Sequence, residues 1–228
     1  MILVDTAETG KIAAALENPA VRGFTTNPRL IAQASGREVI DSRDYYGFCR
    51  KLCEFAGRDE RIRHAMIQAI GEKSQTRNLA ASCLEQLTIK RPESLAPTLW
   101  IKLPPTLEHL RCIDELRREG CKTLVTAVFT PSQALLAMES GADGIAVYFG
   151  RLMKSDVGWQ GRLRTICEIV QGSNALLLLA SLSEPALIAQ ALDYSRDITV
   201  PPMIVPDLMD APLSQAAMRE FAGRVAPD

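Results

Sequence analysis

The sequence predicts an α/β fold, a single (β/α)8 TIM barrel with an extra C-terminal helix, on three observations. Eight short apolar or β-branched runs recur along the 228 residues, segments of helical periodicity lie between them, and several runs end with an apolar residue followed two positions later by a polar one. Runs apolar on both faces and separated by helices make a parallel sheet covered on both sides, and eight such units close into a barrel. An open doubly wound sheet is the competing fold. It is weakened by the first turn, Asp5-Thr6-Ala7-Glu8-Thr9-Gly10, which lacks the Gly-x-Gly-x-x-Gly fingerprint of dinucleotide-binding sheets.

The elements follow in order. A strand over Ile2–Asp5 leads to a periodic helix over Glu8–Glu17, and a strand over Gly23–Thr26 leads to a helix over Pro28–Ala34. The long insertion from Ser35 to Arg63 carries an amphipathic helix over Asp41–Phe55, whose apolar stripe of Tyr45, Phe48, Cys49 and Leu52 suits core packing. Next come the strand Ala65–Ile70, the helix Ser74–Gln86 and the strand Thr98–Leu103. The helix over Leu107–Glu119 has Thr106 as N-cap and Gly120 as stop. After the strand Thr123–Val128, the helix Pro131–Ser140 has Thr130 as N-cap, Pro131 at its first position and Gly141 as stop. The strand Gly144–Tyr148, the helix Gly158–Gln171, the strand Ala175–Ser181, the helix Glu184–Leu192 and the strand Asp197–Val200 complete the alternation, and Ser214–Arg224 makes an apolar tail helix.

Composition narrows the function. The chain is 47% hydrophobic, enough for a sizeable core, and no linker or composition shift divides it, so residues 1–228 read as one domain. The net charge of −1 comes from dispersed, balanced charges, which argues against nucleic-acid or membrane-surface partners. Six cysteines are scattered without a Cys-x-x-Cys pair, and neither His64 nor His109 stands at metal-ligand spacing from one; they read as reduced thiols, with no metal site. Met1-Ile2-Leu3-Val4-Asp5 shows no signal peptide, and the longest apolar run, Ala175 to Ala180, is too short to span a bilayer. A reducing, cytoplasmic setting is expected. P-loop, Gly-x-Ser-x-Gly and His-Glu-x-x-His motifs are missing from the sequence.

Lys102 is the conspicuous residue, a lone ammonium in Thr98-Leu99-Trp100-Ile101-Lys102-Leu103-Pro104-Pro105. Either it snorkels to solvent at a strand end, or its apolar setting lowers its pKa so that a neutral amine attacks a carbonyl. Strand parity bears on the choice, because residues two apart share a face. Leu3 with Asp5, Met66 with Gln68, Trp100 with Lys102, Leu124 with Thr126, Ala146 with Tyr148 and Leu179 with Ser181 each pair an apolar base with a polar top. Barrel sites sit at the C-terminal strand ends, so the six polar residues are expected to converge around the lysine. His109 reads as a surface or edge histidine, His64 lies at the opposite mouth, and Trp159 and Tyr45-Tyr46 read as packing or interface residues.

Asp5-Thr6, Phe24-Thr25-Thr26-Asn27-Pro28, Trp100-Ile101-Lys102-Leu103-Pro104, Thr126-Ala127-Val128 and Gly150-Arg151, in this order, resemble the transaldolase family. The length, together with Gln68 and Tyr148 where transaldolases proper carry glutamate and phenylalanine, and Leu124 and Ala146 where they carry polar residues, is similar to the small fructose-6-phosphate aldolases. The resemblance implies a class I aldolase that needs no metal or cofactor. Lys102 would form a Schiff base with a ketose, Asp5 would assist proton transfer, and Asn27 would hydrogen-bond the ketose. Thr26 would cap the next helix or satisfy local backbone. Gln68, Thr126 and Tyr148 would hold a proton-shuttling water. Arg151 and Ser181 would grip a sugar phosphate, but Ser183 stands where the family has a cation; Arg29 either compensates or is a solvated helix-start charge. Implied partners are small ketose and aldehyde substrates, with a dihydroxyacetone-type donor, and a ring-shaped homo-oligomer joined through the tail helix. A transaldolase is the close alternative, and a non-catalytic sugar-phosphate-binding barrel the alternative of another class.

Overall fold

Strands apolar on both faces must be covered on both faces, and closing the sheet on itself covers one of them. The computed structural model describes residues 1–89, 95–155 and 157–224. Its strands are β1 (Ile2–Asp5), β2 (Val21–Thr25), β3 (His64–Gln68), β4 (Thr98–Leu103), β5 (Lys122–Val128), β6 (Gly144–Tyr148), β7 (Leu176–Ala180) and β8 (Ile198–Val200). They pair in parallel in chain order and close, β8 against β1, into a TIM barrel.

The helices are α1 (Thr9–Ala15), α2 (Pro28–Ala34), α3 (Ser42–Arg58), α4 (Lys73–Thr88), α5 (Leu107–Leu110), α6 (Ile113–Arg118), α7 (Pro131–Glu139), α8 (Phe149–Ser155), α9 (Trp159–Gln171), α10 (Pro185–Ala191) and α11 (Pro212–Ala222). Thr106 and Thr130 cap α5 and α7 through their hydroxyls, and Pro131 opens α7. Gly120 and Gly141 end their helices at φ of 86° and 81°, a region that side chains with a Cβ rarely enter.

Two elements and one residue differ from the sequence-based expectation. The helix expected over Leu107–Glu119 breaks into α5 and α6, because the Cys112 amide donates to the His109 carbonyl three residues back and tightens the turn. His109 is buried, with Nδ1 2.7 Å from the Thr106 hydroxyl, rather than on the surface. Helix α8 follows β6 with no connecting loop and buries Phe149, Gly150 and Leu152; at seven residues it is too short to show a period.

Two apolar layers result. Leu3, Met66, Trp100, Leu124, Ala146 and Leu178 fill the barrel, while the outward strand residues pack under the helices. Five of the six apolar bases expected from parity are therefore inside. On β7 the register is shifted by one, so that Leu178 points inward and Leu179 outward. Within the barrel filling, the Trp100 indole donates to His64 Nδ1 at 3.2 Å.

The inserted helix α3 buries Tyr45, Cys49, Leu52 and Cys53. Tyr45 and Tyr46 donate to the carbonyls of Gln68 and Ile70 at 2.6 and 2.7 Å, so α3 fixes the backbone where β3 leaves the barrel. The C-terminal helix α11 buries none of its residues against the chain, and Leu213, Met218 and Phe221 are exposed. Among the described residues, no helix is long and apolar enough to cross a membrane.

The Tyr45 bond gives a test of packing at β3. Tyr45→Phe leaves the Gln68 carbonyl without its donor and is expected to lower unfolding stability by about 1–2 kcal/mol, measured by urea titration.

Candidate active site

Lys102 stands on the inward face of β4, two residues beyond Trp100, and is only 4% exposed. Its Nζ donates to the main-chain carbonyl of Thr26 at 2.9 Å. No carboxylate among the described residues lies within ion-pair distance, so the amine is buried beside a neutral acceptor. Burial pushes its pKa below the ordinary lysine value, and the negative charge of Asp5 opposes this in part.

The neighbouring strand ends are built around this amine. On β1, Asp5 accepts from Thr25 Oγ1 at 2.6 Å, and Thr25 is in turn 2.9 Å from Thr199 of β8. On β3, Gln68 is paired in register with Lys102, and its Oε1 is buried without a partner among the described residues. At the end of β5, Thr126 donates to the Tyr148 hydroxyl of β6 across 3.4 Å. Arg151, carried by α8, lies 4.9 Å over the Tyr148 ring. Ser181 follows β7 with φ of 64°; a Cβ on Gly150 would collide with its carbonyl oxygen, so the glycine lets the α8 turn and the β7 end approach.

Asp5, Asn27, Gln68, Lys102, Tyr148, Arg151 and Ser181 line one cavity of about 670 Å³ at the C-terminal mouth, as does Ser183. Thr126 does not line it and meets it only through Tyr148. Thr26 is also outside the lining and does not cap α2: Asn27 is the N-cap, accepting from the Leu30 amide at 3.1 Å. The Thr26 hydroxyl is buried without a partner among the described residues, and its carbonyl is the atom that reaches Lys102. Ser181 reaches the cavity through the left-handed turn rather than through β7 parity.

Sequence reasoning missed Thr199 and Lys11, both cavity-lining. Thr199 had a signal, as a polar residue inside the apolar strand Ile198-Thr199-Val200, paired with the inward Leu3. Lys11 had none, since an exposed helix lysine is ordinary.

Residues 2–225 match the family model described as Transaldolase/Fructose-6-phosphate aldolase. The chain belongs to this family. A probable transaldolase of Desulfitobacterium hafniense is 30% identical over 224 residues, 96% of this chain and 95% of its own. A probable transaldolase of Thermus thermophilus is 28% identical over 227 residues, with the same coverage. Among solved structures, 2,3-dimethylmalate lyase, a PEP mutase/isocitrate lyase superfamily member, aligns with a TM-score of 0.63 at 13% identity over 96% of this chain and 80% of that one, a likeness of fold alone. The protein is thus an enzyme of the aldolase/transaldolase kind, which sets aside the non-catalytic barrel.

The buried amine has consequences for pH. Because its folded pKa lies below 10.5, the unfolded chain binds more protons between the two values, and stability rises with pH across that window. Lys102→Met is expected to remove this rise in urea titrations. Asp5→Asn removes the opposing charge and is expected to lower the pH at which Lys102 becomes acylable, read by peptide mass mapping.

Proposed function

We propose that the protein is a Schiff-base aldolase of the fructose-6-phosphate aldolase type, which cleaves or forms ketose carbon–carbon bonds with a dihydroxyacetone-type donor. The observation that carries this is the Lys102 amine, buried at the base of a polar cavity and bonded to a main-chain carbonyl instead of a counter-ion. Burial lowers the Lys102 pKa and so raises the share of neutral amine, and neutral amine is the nucleophile.

In the cleavage direction, Nζ adds to the ketose carbonyl and water leaves, giving a protonated imine. A base takes the proton of the C4 hydroxyl; Asp5, oriented by Thr25, is placed for proton transfer. The C3–C4 bond breaks, its electron pair moves to the imine nitrogen, and the aldehyde departs. A water held by Gln68 and Tyr148, with Thr126 behind the phenol, returns a proton to C3 of the enamine. Hydrolysis then frees the three-carbon ketone and the lysine. Asn27 spends its carbonyl oxygen on capping α2, which leaves its amide N–H groups for substrate hydroxyls. Arg151 and Ser181 hold the phosphate of the aldehyde portion.

Gln68 and Tyr148 support the aldolase assignment over the transaldolase, in which the enamine passes to a second aldehyde. The exposed apolar face of α11 supports a homo-oligomer joined through that helix, and the six free cysteines suit a reducing cytoplasm.

Lys102→Met is expected to lower kcat for fructose 6-phosphate by roughly 10⁴-fold or more, with an unchanged circular dichroism spectrum. Turnover that survives makes another amine the nucleophile. Tyr148→Phe is expected to shift products from free cleavage toward transfer, followed by chromatography with and without an added acceptor aldehyde; unchanged partitioning assigns the branch to the transaldolases.

A further inference from the structure

Arg151 lines the cavity without a polar partner. It is exposed, and among the described residues its guanidinium forms no ion pair and no hydrogen bond; the interaction that orients it is with the Tyr148 ring, whose centroid lies 4.9 Å away. A long side chain at an exposed rim is ordinarily spread over many rotamers, and ordering it for a ligand weakens binding. The ring face reduces that loss.

The ring is itself held in place. Phe129 packs against it edge to face, with centroids 5.8 Å apart and planes at 84°, and Thr126 donates to its hydroxyl across 3.4 Å. Helix α8 follows β6 with no loop, so Tyr148, the last residue of β6, and Arg151, in the first turn of α8, keep a spacing set by the backbone. A cation over a ring face is attracted by the ring quadrupole, which takes up none of its hydrogen-bonding capacity for acceptors. The N–H groups of Arg151 therefore stay available for a phosphate, which a guanidinium grips with two parallel bonds. That rim supplies no second basic group: Ser181 and Ser183, after β7, bring hydroxyls, and the other basic side chains lining the cavity are Lys102 on β4, Lys11 on α1 and Arg29 on α2. Capture of a phosphate at this end falls on one guanidinium and on what orients it.

We propose that the aromatic ring of Tyr148 is a specificity-determining group for phosphorylated aldehydes, acting through Arg151: its face holds the guanidinium at the aldehyde end of the cavity, while its hydroxyl serves the shuttle water. This deepens the Schiff-base reading and rests on its placement of the aldehyde phosphate at Arg151. The two parts of one side chain then have separable effects. The hydroxyl acts on turnover with every aldehyde, and the ring acts on the preference for a phosphate.

The test follows synthesis from dihydroxyacetone with glyceraldehyde 3-phosphate and with glyceraldehyde, and reads the ratio of the two kcat/KM values. Tyr148→Phe removes the hydroxyl and keeps the ring, whereas Tyr148→Leu removes both. The ratio is expected to stay within about twofold of wild type in Tyr148→Phe and to be about threefold or more lower in Tyr148→Leu, mainly through KM for the phosphorylated aldehyde. In an Arg151→Ala background the two variants are expected to share one ratio. Equal ratios with Arg151 present overturn the proposal, as does a leucine effect that persists without Arg151. Tyr148→Met fills the space without a ring and carries the same comparison if the leucine variant does not fold. Calorimetric binding of glycerol 3-phosphate, which has no carbonyl, removes chemistry from the comparison. About threefold weaker binding to Tyr148→Leu than to Tyr148→Phe supports the platform, and equal binding overturns it. A ratio lowered by Arg151→Ala beside equal ratios in the two Tyr148 variants keeps the phosphate at Arg151 and overturns the role of the ring; a ratio unchanged by Arg151→Ala overturns both. Turnover that survives Lys102→Met overturns the Schiff-base reading and leaves ring-dependent binding of glycerol 3-phosphate standing.

Discussion

The site depends on one bond, from the Lys102 amine to the Thr26 carbonyl. A buried ammonium usually needs a counter-ion, and a carboxylate in contact would hold the proton on. A main-chain carbonyl accepts a hydrogen bond from the neutral amine as well as from the ammonium, so it orients the nitrogen without protecting its charge. The contact joins β4 to the end of β2, two strands away. It forms only if the sheet is closed and if β2 ends where its carbonyl faces inward. The Thr26 amide donates to the Met66 carbonyl of β3, which continues the ladder past β2 and fixes that orientation.

Asp5 and Gln68 line the same cavity as this amine. Asp5 is tied to Thr25 and, through it, to Thr199, a chain that links β1, β2 and β8. Gln68 keeps an oxygen beside the lysine that has no partner among the described residues, although its own carbonyl is secured from outside the barrel by Tyr45. The inserted helix α3 thus serves the site by holding backbone. Gly150 has the same kind of role on the far side, since close approach to Ser181 brings Arg151 and the β7 turn to one rim.

Much of this was legible in the sequence, for reasons that can be stated residue by residue. Period-two alternation placed Leu3, Met66, Trp100, Leu124 and Ala146 inside and their polar partners above them. Alternation failed on β7, where every residue from Leu176 to Leu179 is leucine and the pattern carries no phase. Ser181 still reached the cavity, by a left-handed turn that parity does not describe. Of the two roles open to Thr26, the cap falls to Asn27 instead, because a threonine before Asn-Pro is as good a cap by type as the asparagine itself and only backbone geometry chooses between them. Helix α8 was too short to announce itself. The missing cation at Ser183 is visible in the sequence, because the run Ala180-Ser181-Leu182-Ser183 carries no basic residue.

The central claim is that Lys102 becomes covalently attached to a ketose. Borohydride reduction of the wild-type protein in the presence of dihydroxyacetone or fructose 6-phosphate, followed by peptide mass mapping, tests it directly. A single reduced adduct on the peptide carrying Lys102 is the expected result. Folded protein that traps neither ketose, or that carries the adduct on another lysine, contradicts the account.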